Sequence, residues 1–261
     1  MLIGVERLLE LVQTTILTGR VSDMRPVSLL LIAAPESGKT SIVLQQPCEQ
    51  VAVLNDVTGR GLQLLCQMKA EVSHFVLTDL TTVGAHKSSV ARYTMSTLTA
   101  ITEEGLTATA VGGQIETYQH GRRGIIGCLT ASMAKDKRAW WNRIGLASRM
   151  LPFSYVHSTP LVIKIKASID KNQRGKEPEL FITPKAPIEV TFGAKETTQI
   201  RQLADIKANE LKEIGYRRLK QFRALAAAHS LLRHKHKVDA QDVYFIESLQ
   251  PYISYTAAKA L

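Results

Sequence analysis

The eight residues Ala33-Ala34-Pro35-Glu36-Ser37-Gly38-Lys39-Thr40 constrain this chain more than any other stretch. They follow an apolar run, Val27 to Ile32, that predicts a buried strand, and they precede Ser41-Ile42-Val43-Leu44, which can open a helix. Strand, tight loop and helix N-terminus together form an anion cradle, because backbone N–H groups and the helix dipole converge there. Ala34, Pro35, Glu36, Ser37, Gly38, Lys39, Thr40 and Ser41 would wrap the phosphates of a nucleotide. Lys39 would reach the terminal ones, and the Thr40 hydroxyl would hold Mg²⁺. The pattern's first glycine is Ala33, a cost in freedom if that position needs φ > 0.

Downstream, strand-like and helix-like segments alternate: a strand at Val51–Leu54 ending in Asn55, a helix at Gly59–Ala70, and a strand at His74–Thr78 ending in Asp79. One long helix is expected over His86–Glu104. A hairpin follows over Thr107–Gln119, turning at Gly112-Gly113. Gly124–Leu129 reads as a strand, Lys135–Ile144 as a helix and Met150–Val156 as a strand. This alternation predicts an α/β fold, a parallel sheet with helices on both faces. Thr159 and Pro160 open a helix to Asp170, and Lys171–Glu179 reads as an exposed charged insert. The chain from about Glu196 is helical: Thr198–Ile214, Tyr216–Leu232 and Asp239–Leu249, with Asp239 as the last N-cap. The expected organisation is a nucleotide-binding core over 1–156, a connecting segment over 157–195 and a helical lid over 196–261.

Binding a nucleotide is not hydrolysing it, which needs a metal-positioning acid and an oriented water. Phe75-Val76-Leu77-Thr78-Asp79 has the form of a Walker B strand, and beside the first strand Asp79 would reach the metal held by Thr40. The next residue is Leu80, where many such enzymes carry a catalytic Glu, so turnover is expected to be slow.

The order of elements resembles the AAA+ ATPase superfamily over most of the chain. Arg217-Arg218-Leu219, Arg223 to His229, and Val238-Asp239-Ala240-Gln241-Asp242-Val243 are similar to the helical lid of minichromosome-maintenance-type helicases. Ile144-Gly145-Leu146-Ala147-Ser148-Arg149 resembles their Ser-Arg-Phe element, with Met150 in place of Phe. The Gly112-Gly113 hairpin matches that clade's pre-sensor hairpin. The resemblance implies a P-loop NTPase fold with a small all-helical lid, using ATP and Mg²⁺. It implies that Arg149 is the arginine finger acting on a neighbouring subunit's nucleotide, and that Arg217 is the lid's sensor arginine. Thr130 would be the polar sensor of the fourth strand, with Ser132 the alternative, and Asn55 a residue restraining the catalytic machinery.

The net charge of +10 and pI near 9.6 point to a polyanionic partner, nucleic acid first. Basic residues crowd the lid (Arg217, Arg218, Lys220, Arg223, Arg233, Lys235, Lys237), and His120, Arg122 and Arg123 flank the hairpin base. His229, His234 and His236 read as a core histidine and a solvated turn, since no ligand set for a metal is completed. Cys48, Cys66 and Cys128 form no metal spacing and read as buried thiols of a reducing compartment. No apolar run approaches a membrane span, and Met1–Gly19 is amphipathic, so a cytoplasmic protein without a membrane is expected.

Two functions of different class remain. One, implied by the resemblance, is an ATPase forming a ring or helical homo-oligomer, hexamer-like, that acts on DNA or a replication or recombination complex as a helicase, a helicase loader or a phage or mobile-element remodeller, with a targeting or effector protein. The other is a weakly hydrolysing ATP-dependent switch or scaffold, favoured by Leu80 and Ala33. A small-molecule kinase would share the loop but leave Arg149 and the lid unexplained.

Overall fold

Leu29 and Leu31 leave the first strand on one side, Leu30 and Ile32 on the other, and all four are buried. A strand covered on both faces can only be the middle of a layered α/β fold. The computed structural model describes residues 5–44, 49–111, 114–170, 183–256 and 259–261. Cys48, the Gly112-Gly113 turn and the charged insert over 171–179 lie outside these described residues.

In chain order the elements are α1 (Glu6–Leu17), β1 (Ser28–Ile32), α2 (Lys39–Leu44), β2 (Val51–Leu54), α3 (Gly59–Met68), β3 (His74–Leu77), α4 (Thr81–Ala85) and α5 (Ser88–Glu103). The hairpin β4 (Leu106–Val111) and β5 (Gln114–His120) follows, then β6 (Gly124–Leu129), α6 (Ala131–Arg143), β7 (Met150–Val156) and α7 (Thr159–Asp170). The chain closes with α8 (Ala194–Leu211), α9 (Tyr216–Leu232), α10 (Ala240–Leu249) and β8 (Lys259–Ala260).

Six strands form one parallel sheet in the order β2-β3-β6-β1-β7-β8. On one face α1 and the C-terminal helices bury Leu8, Leu11, Phe222, Leu225 and Ile246 against Leu29, Leu31 and Phe153. On the other, α3 and α5 bury Leu62, Met95 and Leu98 against Leu30, Ile32 and Phe75. This is the expected α/β sandwich. Truncating one such leucine to Ala would cost about 2–5 kcal/mol.

Three local outcomes differ from the sequence reading. The helix expected over His86–Glu104 forms as α5, but a short helix that was not expected, α4, precedes it; between the two His86 is extended (φ −63°, ψ 163°) and its Nε2 pairs with Asp56 at 2.8 Å. The helix expected from Lys135 starts at Ala131, because the Thr130 side chain caps it by accepting the Met133 N–H at 3.4 Å. The chain end returns to the sheet as β8, pairing beside Tyr155 and Val156. The hairpin strands pair antiparallel as expected, Val111 opposite Gln114. Asp239 caps α10 as expected, accepting from the Gln241 N–H while Asp242 accepts from the Asp239 N–H.

Candidate nucleotide site and arginine edge

In a parallel sheet all strands end on the same edge, so the loops that follow them meet there. The segment after β1 turns through Glu36 at φ 60° and Gly38 at φ +79° before entering α2. The left-handed positions are therefore Glu36 and Gly38. Ala33 does not have a positive φ and donates its N–H to Leu129 O at 3.3 Å, so replacing the pattern's first glycine costs nothing here. A Cβ on Gly38 would meet nothing within 4 Å, so the glycine is required by conformation and the hollow beside it is open.

Lys39 is buried, and its ammonium donates to Ala33 O at 2.9 Å, Ala34 O at 2.6 Å and Ser37 Oγ at 3.0 Å. Burial lowers its pKa, opposed by Cys128 and Asp79 nearby. Cys128, walled in behind the loop, has its thiol pushed up to about 12 by burial, despite Lys39. Two residues unremarked in the sequence hold the loop from behind. The Tyr155 hydroxyl donates to Ser37 O at 3.0 Å, and His157 Nε2 meets the same oxygen at 2.9 Å. Only the alternation of β7, which puts Tyr155 on the Phe153 side, hinted at such a role.

Asp79 follows β3. The sequence reading set this strand beside the first; in the structure β6 lies between them. Asp79 is exposed at the same sheet edge, where its Oδ1 accepts the Thr81 N–H at 2.8 Å and its carbonyl accepts Thr82 Oγ1 at 2.9 Å. Thr40 is likewise exposed at the start of α2. An open hollow, a lysine in its wall, and an exposed hydroxyl and an exposed carboxylate at its rim fit a metal–triphosphate. Leu80 is buried in the core, so no acid replaces it at that position. Asn55 lies alongside, its Oδ1 accepting Thr78 Oγ1 at 3.4 Å. Thr130 ends β6 between the loop and Asp79, and its hydroxyl is 3.0 Å from Ser132 Oγ, so both sensor candidates sit together.

Arg149 and Arg217 meet at the opposite, amino edge of the sheet. Arg149 precedes β7, and its Nη1 donates to Gly145 O at 2.6 Å. Its Nε lies 3.5 Å from Glu103 Oε2, an ion pair without hydrogen-bond geometry. Burial and the adjacent Arg217 lower its pKa, with Glu103 and Glu104 opposing. Arg217 opens α9, its Nε 3.4 Å from the same Glu103 oxygen, and its Nη1 donates to Ser148 Oγ at 2.9 Å. Arg25 pairs with the other oxygen of Glu103. Neither Glu103 nor Arg25 carried any signal in the sequence.

The neighbouring arginines differ sharply. Arg218 is completely buried, donating twice to Glu213 at 2.9 Å and also to Gln221 Oε1 at 2.7 Å and Met150 O at 3.2 Å. The basic residues of the C-terminal helices are also less free than their sequence suggests. Arg233 pairs with Asp239 and Asp242, Lys235 pairs with Asp239, and Arg223 lies over the Phe192 ring. At the hairpin base Arg123 is buried, donating to Gly121 O, Arg122 O and Ala70 O, which withdraws it from any strand-gripping role. Arg122 stays exposed, and of His120 the backbone alone is described. His229 is the expected core histidine, stacked on Phe245 and bonded to Asp242 at 2.7 Å and Glu10 at 3.1 Å. Among the described residues no cluster of three or more His, Cys, Asp or Glu could hold a metal ion. Nor is any described helix long and apolar enough to cross a membrane.

No family model and no curated protein matches the chain. Among solved structures it is similar to a full-length MCM homolog from Methanopyrus kandleri, with a TM-score of 0.56 and 12% sequence identity. The match covers 98% of this chain and 57% of that one, so the chain spans little more than half the length of that protein. At this identity the shared property is the fold: a P-loop NTPase sheet flanked by helices, followed by C-terminal helices.

Proposed function

We propose that the protein is a AAA+ ATPase of the minichromosome-maintenance-like kind, which completes its active site with a second copy of itself and acts on DNA or a DNA-bound complex. One observation carries this reading. The phosphate loop lies at the carboxyl edge of the sheet and the Arg149–Arg217 pair at the amino edge, so one chain's arginines cannot serve its own loop. Each chain then holds half a site at either edge, which favours a closed ring or a helical homo-oligomer. Ile214 and Tyr216, 88% and 75% exposed beside Arg217, give that edge an apolar contact.

In this reading the loop from Ala34 to Ser41 binds ATP, and Thr40 and Asp79 hold Mg²⁺, which would draw off charge from the phosphate oxygens. Lys39 leaves the loop's own carbonyls for the outer phosphates. Arg149 and Arg217 of another copy stabilise charge developing on the transferring phosphoryl. Thr130, or Ser132 beside it, would be the polar sensor of the bound nucleotide, and Asn55 would restrain the catalytic machinery. A core over 1–156, a connector over 157–195 and a lid over 196–261 remain the proposed units. The basic balance supports DNA as substrate, with a separate protein supplying the target, in an aqueous compartment such as the cytoplasm.

The test is complementation. Lys39→Ala should bind no nucleotide, and Arg149→Ala should bind it but turn over poorly. Mixed, the two should recover turnover, since the intact loop of one meets the intact arginines of the other. Failure of the mixture to exceed either variant alone, with assembly intact, would refute shared sites. The buried Leu80 favours a second reading, a slow ATP-dependent switch. Tight binding with negligible turnover, unmoved by single-stranded DNA, would select it.

A further inference from the structure

Glu103 sits among the amino-edge arginines with a geometry that a loose surface ion pair does not show. Its backbone is fixed at the end of α5: Gly105, at φ +80°, turns the chain just beyond it, and Arg122 Nε donates to Glu103 O at 2.6 Å. Its carboxylate is divided. One oxygen pairs with Arg25; the other lies 3.5 Å from Arg149 Nε and 3.4 Å from Arg217 Nε. Burial alone would raise the carboxyl's pKa, but the hydrogen bond from Arg25 and the charges of Arg217 and Arg149 prevail and hold it low.

Three guanidinium groups and Lys220 thus rim one small hollow beside the first residues of β1. One carboxylate leaves that rim strongly positive, so the cluster retains affinity for a further anion. Like charges at such range would splay without a counter-ion. The second holds differ between the two arginines, Gly145 O for Arg149 and Ser148 Oγ for Arg217. A Cβ on Gly145 would stand 2.4 Å from Arg149 Nη1, so this close seat exists only because the residue is glycine.

We propose that Glu103 is a positioning residue, setting the spacing and angle at which Arg149 and Arg217 meet the phosphates bound by a neighbouring copy, with Arg25 the third cation on the same carboxylate. This rests on the shared-site reading above. Glu103 touches no substrate; it acts through the arginines, so its loss lowers the rate of the chemical step and leaves nucleotide binding at the chain's own loop intact.

Glu103→Gln keeps the shape and removes the charge. Misplacing a catalytic group by about 1 Å can cost on the order of 100-fold, so a fall in kcat of at least about tenfold is expected, with KM for ATP unchanged. Mixing Glu103→Gln with Lys39→Ala should then restore turnover, since random assembly gives roughly a quarter of the interfaces an intact loop facing intact arginines. Arg25→Met should behave in the same way with a smaller loss, and it stands in should Glu103→Gln not fold. The Arg149→Ala and Lys39→Ala mixture runs alongside. If that mixture recovers and the Glu103→Gln mixture does not, or if Glu103→Gln keeps wild-type kcat, the assignment of Glu103 is overturned while shared sites stand. If neither mixture recovers, shared sites fall and this inference falls with them.

Discussion

The two edges of the sheet are built on opposite principles. At the carboxyl edge Thr40, Asp79 and Asn55 are exposed and make few contacts with one another, and Lys39 satisfies itself on the loop's own carbonyls. At the amino edge Arg149 and Arg217 are already held by Glu103, Gly145 and Ser148. In the proposed reading the first edge closes on the nucleotide, whereas the second is already held by partners within the chain. Groups that act on a transition state gain most from being fixed in advance, because no reorganisation is then required as charge develops. Groups that bind a ground state can close upon it.

The largest effects should separate the two edges kinetically. Arg149→Ala should lower kcat by about 1,000-fold, toward the low end of what an arginine finger supplies, with little change in KM. Lys39→Ala should abolish binding in a fluorescent-nucleotide titration. Equal binding losses in both would dissolve the distinction between the edges.

Adjacent arginines should then divide by role. Arg218→Ala removes one partner of a buried pair and should cost about 3–5 kcal/mol in urea unfolding. Arg217→Ala, exposed and ion-paired, should cost no more than about 1 kcal/mol yet impair turnover. The reverse ranking would mean that the two arginines exchange roles.

Two buried histidines should respond oppositely to pH. His74, at the amino edge, is wholly enclosed between Ser73 Oγ, Val27 O and the Gly124 backbone, and burial lowers its pKa to about 4. Between about pH 6.5 and 4 the unfolded chain binds the proton and the folded chain does not. Stability should therefore fall through that window by about 3 kcal/mol on acidification, read from urea midpoints. His229 is different: burial opposes its charge, but hydrogen bonds and charges of Asp242 and Glu10 prevail and raise its pKa. Its contribution is fully present below about pH 6.5 and is lost as pH rises through the folded value. His229→Asn should accordingly cost more at pH 6 than at pH 9.

The smallest effect tests the loop's rear support. Tyr155→Phe deletes the hydroxyl that holds Ser37 O, and losing one such hydrogen bond, worth about 1 kcal/mol, should raise KM for ATP severalfold without touching kcat. An unchanged KM would mean that His157 alone suffices.

The loop after the first strand was legible in the sequence because its residues are contiguous. Strand, glycine, lysine and threonine follow one another from Val27 to Thr40, and local order alone places them at a strand end. The element pattern was legible for a related reason: β2, β6, β7, α7 and α9 are marked by apolar runs and caps that act over a few residues. Misreadings arose where distant partners decide. The short α4 was not foreseen, and it is set off from α5 where the His86 ring reaches Asp56. The basic run of the C-terminal helices looked short of acids in part because Glu103, which pairs with Arg217, lies far from it in sequence.

By itself, then, the chain specified a parallel α/β sheet, a tight glycine-containing loop between its first strand and the next helix, and a helical C-terminus, since these depend on short-range periodicity and backbone sterics. Tertiary structure alone decided that β6 separates β1 from β3, that Tyr155 and His157 brace the loop, and that Arg217 faces Glu103 while Arg218 is interred. Those outcomes depend on the side-chain charge and volume of residues dozens of positions apart, whose proximity no local pattern encodes.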